Sequence, residues 1–232
     1  MPNTISLKNV VSVVGGFPLL AGINFEASFG EIVLISGPNG AGKTSLLRLI
    51  AGLIPMTQGS GYVNGLNLQE NSQEIRTLVS YVGHRPNMYD DLTALENVII
   101  SVGNSHSLSL KVKLSRVKTS KLKEEIIAAF ALMGLPDRVS STKFSRLSEG
   151  QKRRVNFIPL LIKDTKIWLL DEPHASIDAL SREIIDSSIL RAQERGALIL
   201  IASHELEHVQ AIATRTLNIQ GGYITSGDQD AS

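Results

Sequence analysis

Gly37-Pro38-Asn39-Gly40-Ala41-Gly42-Lys43-Thr44 is the stretch on which the fold turns. It satisfies the pattern GxxxxGK[ST], and an apolar strand-type run, Glu31 to Ser36, leads straight into it while Lys43 to Ala51 reads as a helix leaving it. That context makes the motif credible. Glycines let successive backbone N–H groups curl around a polyphosphate, the helix N-terminus adds its positive end, Lys43 meets the outer phosphates, and Thr44 offers a hydroxyl to Mg²⁺. Ordinary residue usage produces the pattern by chance in roughly one chain in a hundred of this length.

A phosphate loop of this kind predicts an acidic partner at the end of another apolar strand. Ile167-Trp168-Leu169-Leu170-Asp171-Glu172 supplies it. A lone strand ending in two acids is ordinarily a strand meeting solvent. Beside the loop, Asp171 is expected to hold the metal, and Glu172 to polarise a water for in-line attack on a terminal phosphate.

Outward from these two anchors, the first third alternates β-type runs, Ile5 to Val10 and Ile23 to Ala27, with glycine punctuation, and a hairpin is expected near Gly59 to Leu66. The block from about Thr93 to Leu135 is mainly helical. After it the pattern returns to strand at Ile167 to Leu170, helix at Ala179 to Glu194 ended by Gly196, strand at Ala197 to Ala202, and a short helix from about Glu205. The expected fold is therefore α/β: a P-loop core with a mostly parallel sheet, an antiparallel β subdomain and an inserted α-helical subdomain. Residues 1–86 and 163–232 are assigned to the core, and about 87–162 to the helical part of one domain.

Composition narrows the function. Across 232 residues, Lys+Arg 23 against Asp+Glu 22 leave a net charge of +1, so binding nucleic acid through bulk basicity is not expected. No apolar run approaches the ~20 residues that cross a bilayer. With Cys 0, disulfides and thiolate metal sites are excluded, and the start MPNTISLKNV lacks a secretory pattern, which suggests a cytosolic-type compartment.

Leu147-Ser148-Glu149-Gly150-Gln151, lying between the loop and the acidic strand, resembles the LSGGQ signature of ATP-binding cassette ATPases. Read physically, Ser148 is a good N-cap for a helix whose free N–H groups can hold an anion. The resemblance covers nearly the whole chain: Pro173 completes the DEP triplet, Ser176-Ile177-Asp178 looks like the D-loop, and His204 stands at the switch-histidine place. It implies ATP and Mg²⁺ as ligands, with Thr44 and Asp171 on the metal and Glu172 and His204 in catalysis. Pro38, Asn39, Gly40, Ala41, Gly42, Lys43, Thr44 and Ser45 would line the nucleotide from one copy. Ser148, Gly150, Gln151 and Asp178 would meet it from a second copy, in a head-to-tail pair enclosing two ATP molecules.

Departures from that pattern carry information. Glu149 stands where a small residue is usual. His84, in Tyr81-Val82-Gly83-His84-Arg85-Pro86, occupies the Q-loop place; either it substitutes for glutamine near the metal and water, bringing a pH dependence, or it is structural. The expected adenine-stacking aromatic falls near Val14, so either Phe17 replaces it or adenine is held weakly. Pro159 is expected to break the helix that begins near Ser148, leaving a kink there, and His208 to be a surface residue.

Gly83-His84-x-Pro86, followed by Leu92-Thr93-Ala94-Leu95-Glu96-Asn97 and Gln151-Lys152-Arg153-Arg154-Val155, is most similar to the haem-exporter, cytochrome c maturation type of cassette. That similarity implies integral membrane partners, release of haem-loaded chaperone, no haem site on this chain, and a peripheral place on the cytoplasmic face of the inner membrane, or the matrix side in an organelle. The basic strip Lys111, Lys113, Arg116, Lys118, Lys121 and Lys123 would suit anionic headgroups or an acidic coupling helix, or is simply solvated. Met88, Tyr89 and Leu92 would line a groove for a partner helix, or belong to the core. The alternatives are another small exporter, a soluble iron–sulfur assembly ATPase, or a nucleotide-gated binding module with little turnover. A chromosome-type cassette is disfavoured, since no sustained heptads separate Lys43 from Leu147.

Overall fold

The computed structural model describes residues 4–103, 121–163, 165–175, 177–204 and 206–230. Two compact units emerge, one formed by Met1–His84, Thr165–Ala175 and Ser188–Ser232, the other by Arg85–Asp164 and Ser176–Ser187.

The first unit is built on two sheets. Strands β1 (Ile5–Val14), β2 (Phe17–Ala27), β4 (Gln58–Val63) and β5 (Leu66–Asn67) form an antiparallel sheet in the order β2-β1-β4-β5. The second sheet runs β10-β9-β3-β8-β7-β6, from strands β3 (Ile32–Ser36), β6 (Val79–Val82), β7 (Ile167–Asp171), β8 (Leu198–Ala202), β9 (Arg215–Gln220) and β10 (Tyr223–Asp230). All its pairings are parallel except β9 with β10. Every residue of β3, β7 and β8 is buried, which is why these strands read as uninterrupted apolar runs rather than alternating ones.

Helix α1 (Lys43–Ile50) buries Leu46, Leu47, Leu49 and Ile50 in a core shared by both sheets. The strand-to-loop-to-helix passage is thereby clamped on its apolar side, and the phosphate loop is left as the polar end of a rigid core. Helix α2 (Ser72–Leu78) leads into β6.

In the second unit, helices α3 (Ala94–Val102), α4 (Lys121–Leu132), α5 (Asp137–Ser140) and α6 (Glu149–Lys163) pack around Val98, Ile126, Phe130, Met133, Val139, Val155 and Phe157. A capping box of Thr93 and Glu96 starts α3. Asn97, only 1% exposed, spends its side chain on the preceding loop, accepting from the Tyr89 N–H and donating to the Tyr89 and Thr93 carbonyls. Helix α6 corrects one sequence expectation. It runs through Pro159 without ending, held by the buried side chains of Phe157, Ile158 and Leu160 on either side. Tertiary burial outweighs the missing N–H there.

The hairpin at Gln58–Asn67, helix α7 (Ala179–Glu194), the Gly196 turn and a short helix α8 (Leu206–Gln210) fall where the sequence put them. Of the basic strip, Lys111, Lys113, Arg116 and Lys118 lie outside the described residues, while Lys121 and Lys123 are exposed at the start of α4.

Candidate active site

The loop Gly37–Gly42 turns on three left-handed glycines, Gly37 (φ 144), Gly40 (φ 78) and Gly42 (φ 112). Gly42 caps α1 without any side-chain hydrogen bond, so no capping side chain occupies the positive end of the helix. Lys43 is buried and donates from Nζ to the Gly37 carbonyl at 2.6 Å and the Pro38 carbonyl at 3.2 Å. Its ammonium is thus held at the mouth of the loop.

Next to it, Thr44 Oγ1 donates to Asp171, 2.9 Å from Oδ1 and 3.1 Å from Oδ2. Asp171 ends β7 and is 2% exposed, so its carboxylate has donors because it must. A second comes from Tyr81 on β6, whose hydroxyl lies 3.3 Å from Asp171 Oδ2 and accepts from Arg48 Nε at 3.4 Å. Burial pushes the Tyr81 phenol above its ordinary range, and the hydroxyl therefore keeps its proton at neutral pH.

Glu172 follows with φ 51, a left-handed backbone that costs a non-glycine residue about 1–3 kcal/mol. Its N–H donates to the Ala202 carbonyl at the end of β8, which turns the side chain off the strand. There Glu172 Oε1 lies 2.8 Å from His204 Nδ1, and Ser203 Oγ donates to Oε2 at 3.4 Å. One carboxylate is thus tied to the loop helix and the next to the switch position.

The pattern of the ABC transporter family matches residues 20–175, well over half of the chain. The chain belongs to the ABC transporter family. It is 32% identical over 201 residues to the cytochrome c biogenesis ATP-binding export protein CcmA of Nitrosomonas europaea, covering 87% of this chain and 88% of that one. It is also 33% identical to the phosphonates import ATP-binding protein PhnC 2 of Oceanobacillus iheyensis, over 90% and 84% of the two chains. In fold it resembles the dimeric ATP-binding cassette MJ0796 in a post-hydrolysis state with ADP and Pi, with a TM-score of 0.83 at 24% identity over 98% of this chain and 99% of that one. This is therefore an ATP-binding, ATP-hydrolysing ABC transporter subunit, and among its described residues no helix is long and apolar enough to cross a membrane.

The remaining family positions are distributed over the two units. In the second unit of this ABC subunit, Ser148 caps α6 by accepting from the Gln151 N–H at 3.2 Å, and Gln151 Oε1 accepts from the Ser148 N–H at 3.1 Å. This reciprocal capping box is legible as Ser-x-x-Gln once the helix start is known. Glu149, in the place of a small residue, is exposed and pairs with Lys152 at 2.8 Å. A Cβ on Gly150 would come within 3.2 Å of Asp178 Oδ2 and 3.3 Å of Ser181 Oγ, so the signature helix packs its backbone directly on the D-loop. Ser176 of that loop lies outside the described residues.

His84 is exposed in the bend after β6. At the β1–β2 hairpin, Gly15 (φ 59) and Gly16 (φ 83) make a two-residue turn between the paired Val14 and Phe17. Directly opposed residues share a face, so both candidates for the adenine contact sit on one apolar tip, 40% and 74% exposed. His208 is exposed, as is Tyr89, while Met88 and Leu92 are half-buried. Sequence reasoning missed Tyr81, Arg48 and Ser203 as parts of the site. Arg48 had a signal, standing one helical turn after Thr44.

Proposed function

We propose that this chain is the ATP-hydrolysing subunit of a cytochrome c maturation export complex, acting as a head-to-tail pair. Each ATP lies with its phosphates in Gly37–Ser45 of one copy and its γ-phosphate against Ser148, Gly150 and Gln151 of the other, and Asp178 braces that signature helix. Lys43 turns from its carbonyl partners to the outer phosphates, and Phe17 packs on the adenine. The oxygen donors Thr44 and Asp171, adjacent and carrying one negative charge between them, suit Mg²⁺, which prefers hard oxygen ligands together with phosphate and water. When bound, Mg²⁺ neutralises charge on the β- and γ-phosphates. His84 hydrogen-bonds to water at its edge.

Hydrolysis uses Glu172. A water attacks the γ-phosphorus in line, a Glu172 oxygen takes its proton, and the bond to the ADP oxygen breaks as the new P–O bond forms, leaving ADP and phosphate. His204, 2.8 Å from the carboxylate, orients it. The observation that carries this reading is the pairing of two consecutive acids at one strand end, Asp171 with Thr44 and Glu172 with His204. Glu172→Gln should cost about 10²–10⁴ in turnover and accumulate an ATP-dependent dimer, seen by light scattering; undiminished turnover contradicts the assignment.

The kinship with CcmA proteins, over 87% of this chain for the Nitrosomonas europaea protein, supports the cargo in this reading. In this reading ATP turnover releases haem-loaded chaperone from integral membrane partners, haem itself staying off this chain, and the subunit works peripherally at the cytoplasmic face of the inner membrane. The similarity to PhnC 2 supports a second reading, an ATPase of a different transporter. Co-purification from membranes separates them: partners carrying the haem absorbance band support the first, and partners without haem the second.

A further inference from the structure

Asp171 is supported by two neighbours that the proposed reaction does not use. Tyr81, on the strand beside β7, presents its hydroxyl to Oδ2 at 3.3 Å, and Arg48 donates from Nε to that hydroxyl at 3.4 Å. The arrangement is fixed from both sides. In the parallel register Tyr81 lies opposite Leu169, so the phenol is anchored two residues short of the carboxylate in the neighbouring strand. Arg48 and Thr44 stand four residues apart on α1 and therefore share a helix face, Thr44 reaching Asp171 directly and Arg48 reaching it through Tyr81.

A carboxylate that is 2% exposed and held only by the hydroxyl it shares with a metal could swing about its Cβ–Cγ bond. The phenol on Oδ2 removes that freedom, adding a second point of attachment to a carboxylate whose Oδ1 and Oδ2 lie 2.9 and 3.1 Å from Thr44 Oγ1. Donation from Arg48 polarises the phenol and strengthens what it gives to Asp171. Outer partners of this kind orient a ligand and tune the ion it holds.

We infer that Tyr81, backed by Arg48, is a positioning residue for the metal end of the site, setting how tightly Mg²⁺ is held with ATP without contacting the nucleotide. The inference rests on the reading that Thr44 and Asp171 hold the ion. Its consequence is a split: removing the phenol hydroxyl should weaken the metal and leave metal-free nucleotide binding alone.

The experiment uses the full chain carrying Glu172→Gln, so that ATP persists, with Mn²⁺ as a paramagnetic substitute for Mg²⁺. Free Mn²⁺ is read by electron paramagnetic resonance, and ATP affinity is measured separately in excess chelator. Tyr81→Phe should weaken Mn²⁺ by roughly tenfold or more, the range for loss of an outer-shell partner, with chelator-condition ATP affinity unchanged. Arg48→Met, a surface change, should shift Mn²⁺ in the same direction by less. Unchanged Mn²⁺ affinity in Tyr81→Phe, while Asp171→Asn abolishes it, overturns the inference and spares the metal reading. Unchanged affinity in Asp171→Asn overturns the metal reading itself. Equal loss of Mn²⁺ and of chelator-condition ATP binding in Tyr81→Phe marks a purely structural tyrosine and also overturns the inference.

Discussion

Asp178 is an exposed acid with a structural task. Its carboxylate accepts from the Ser181 N–H at 2.7 Å, and that bond, helped by the charge of Arg154, holds it below the usual carboxylate range. An acid depressed in the folded state adds stability above its unfolded pKa, and the addition is lost as pH falls through the folded value. Asp178→Ala should therefore lower the melting temperature at neutral pH, and the gap to the parent chain should narrow as pH drops below about 4. A gap that stays constant with pH contradicts the role given to the charge. The neighbouring Arg154 donates to the Met133 and Gly134 carbonyls, at 3.2 and 3.1 Å, joining the signature helix to the end of α4. Gly150 and Arg154 lie more than 20 residues from Asp178 in sequence, and that is why the contact between Asp178 and the start of α6 was not legible, whereas its cap on the Ser181 N–H is a local, three-residue pattern.

Strands and helices were more readable than the bonds between them. The runs at Glu31 to Ser36, Ile167 to Leu170 and Ala197 to Ala202 announced themselves because burial on both faces leaves no polar alternation to confuse the period. The helix does not end at Pro159, because the missing backbone donor counts for less there than the buried side chains around it. The phosphate loop was legible as a pattern, yet not the reason its first glycine has no substitute. A Cβ on Gly37 would lie 2.1 Å from the Ile219 carbonyl oxygen of β9, whereas one on Gly40 meets nothing within 4 Å. Gly37→Ala must push β9 or the loop aside, and ATP affinity should fall by tenfold or more, about 1.4 kcal/mol in binding. Gly40→Ala, with only left-handed strain to bear, should cost about 1–2 kcal/mol of stability. Equilibrium ATP binding and melting of the two variants, side by side, check the contrast; normal ATP binding by Gly37→Ala contradicts it.

At the scale of the whole molecule, the first unit owes its rigidity to a core in which Leu34, Leu47, Leu169 and Leu200 are all fully buried. Leu200→Ala should destabilise it by about 2–5 kcal/mol, read by denaturant unfolding, and a loss below 1 kcal/mol would show a looser core than the one described. The proposed pair goes further, since it assembles each reaction centre from the loop of one copy and the signature of its twin. Two variants, Lys43→Ala and Ser148→Arg, each spoil both centres when pure. Mixed in equal amounts, they form hybrid pairs in which one centre is whole. The measurement that tests the central claim most directly is ATP turnover of that mixture: the account predicts recovery to as much as about a quarter of the parent activity, given random pairing in a two-fold assembly. A mixture as inactive as its components contradicts it.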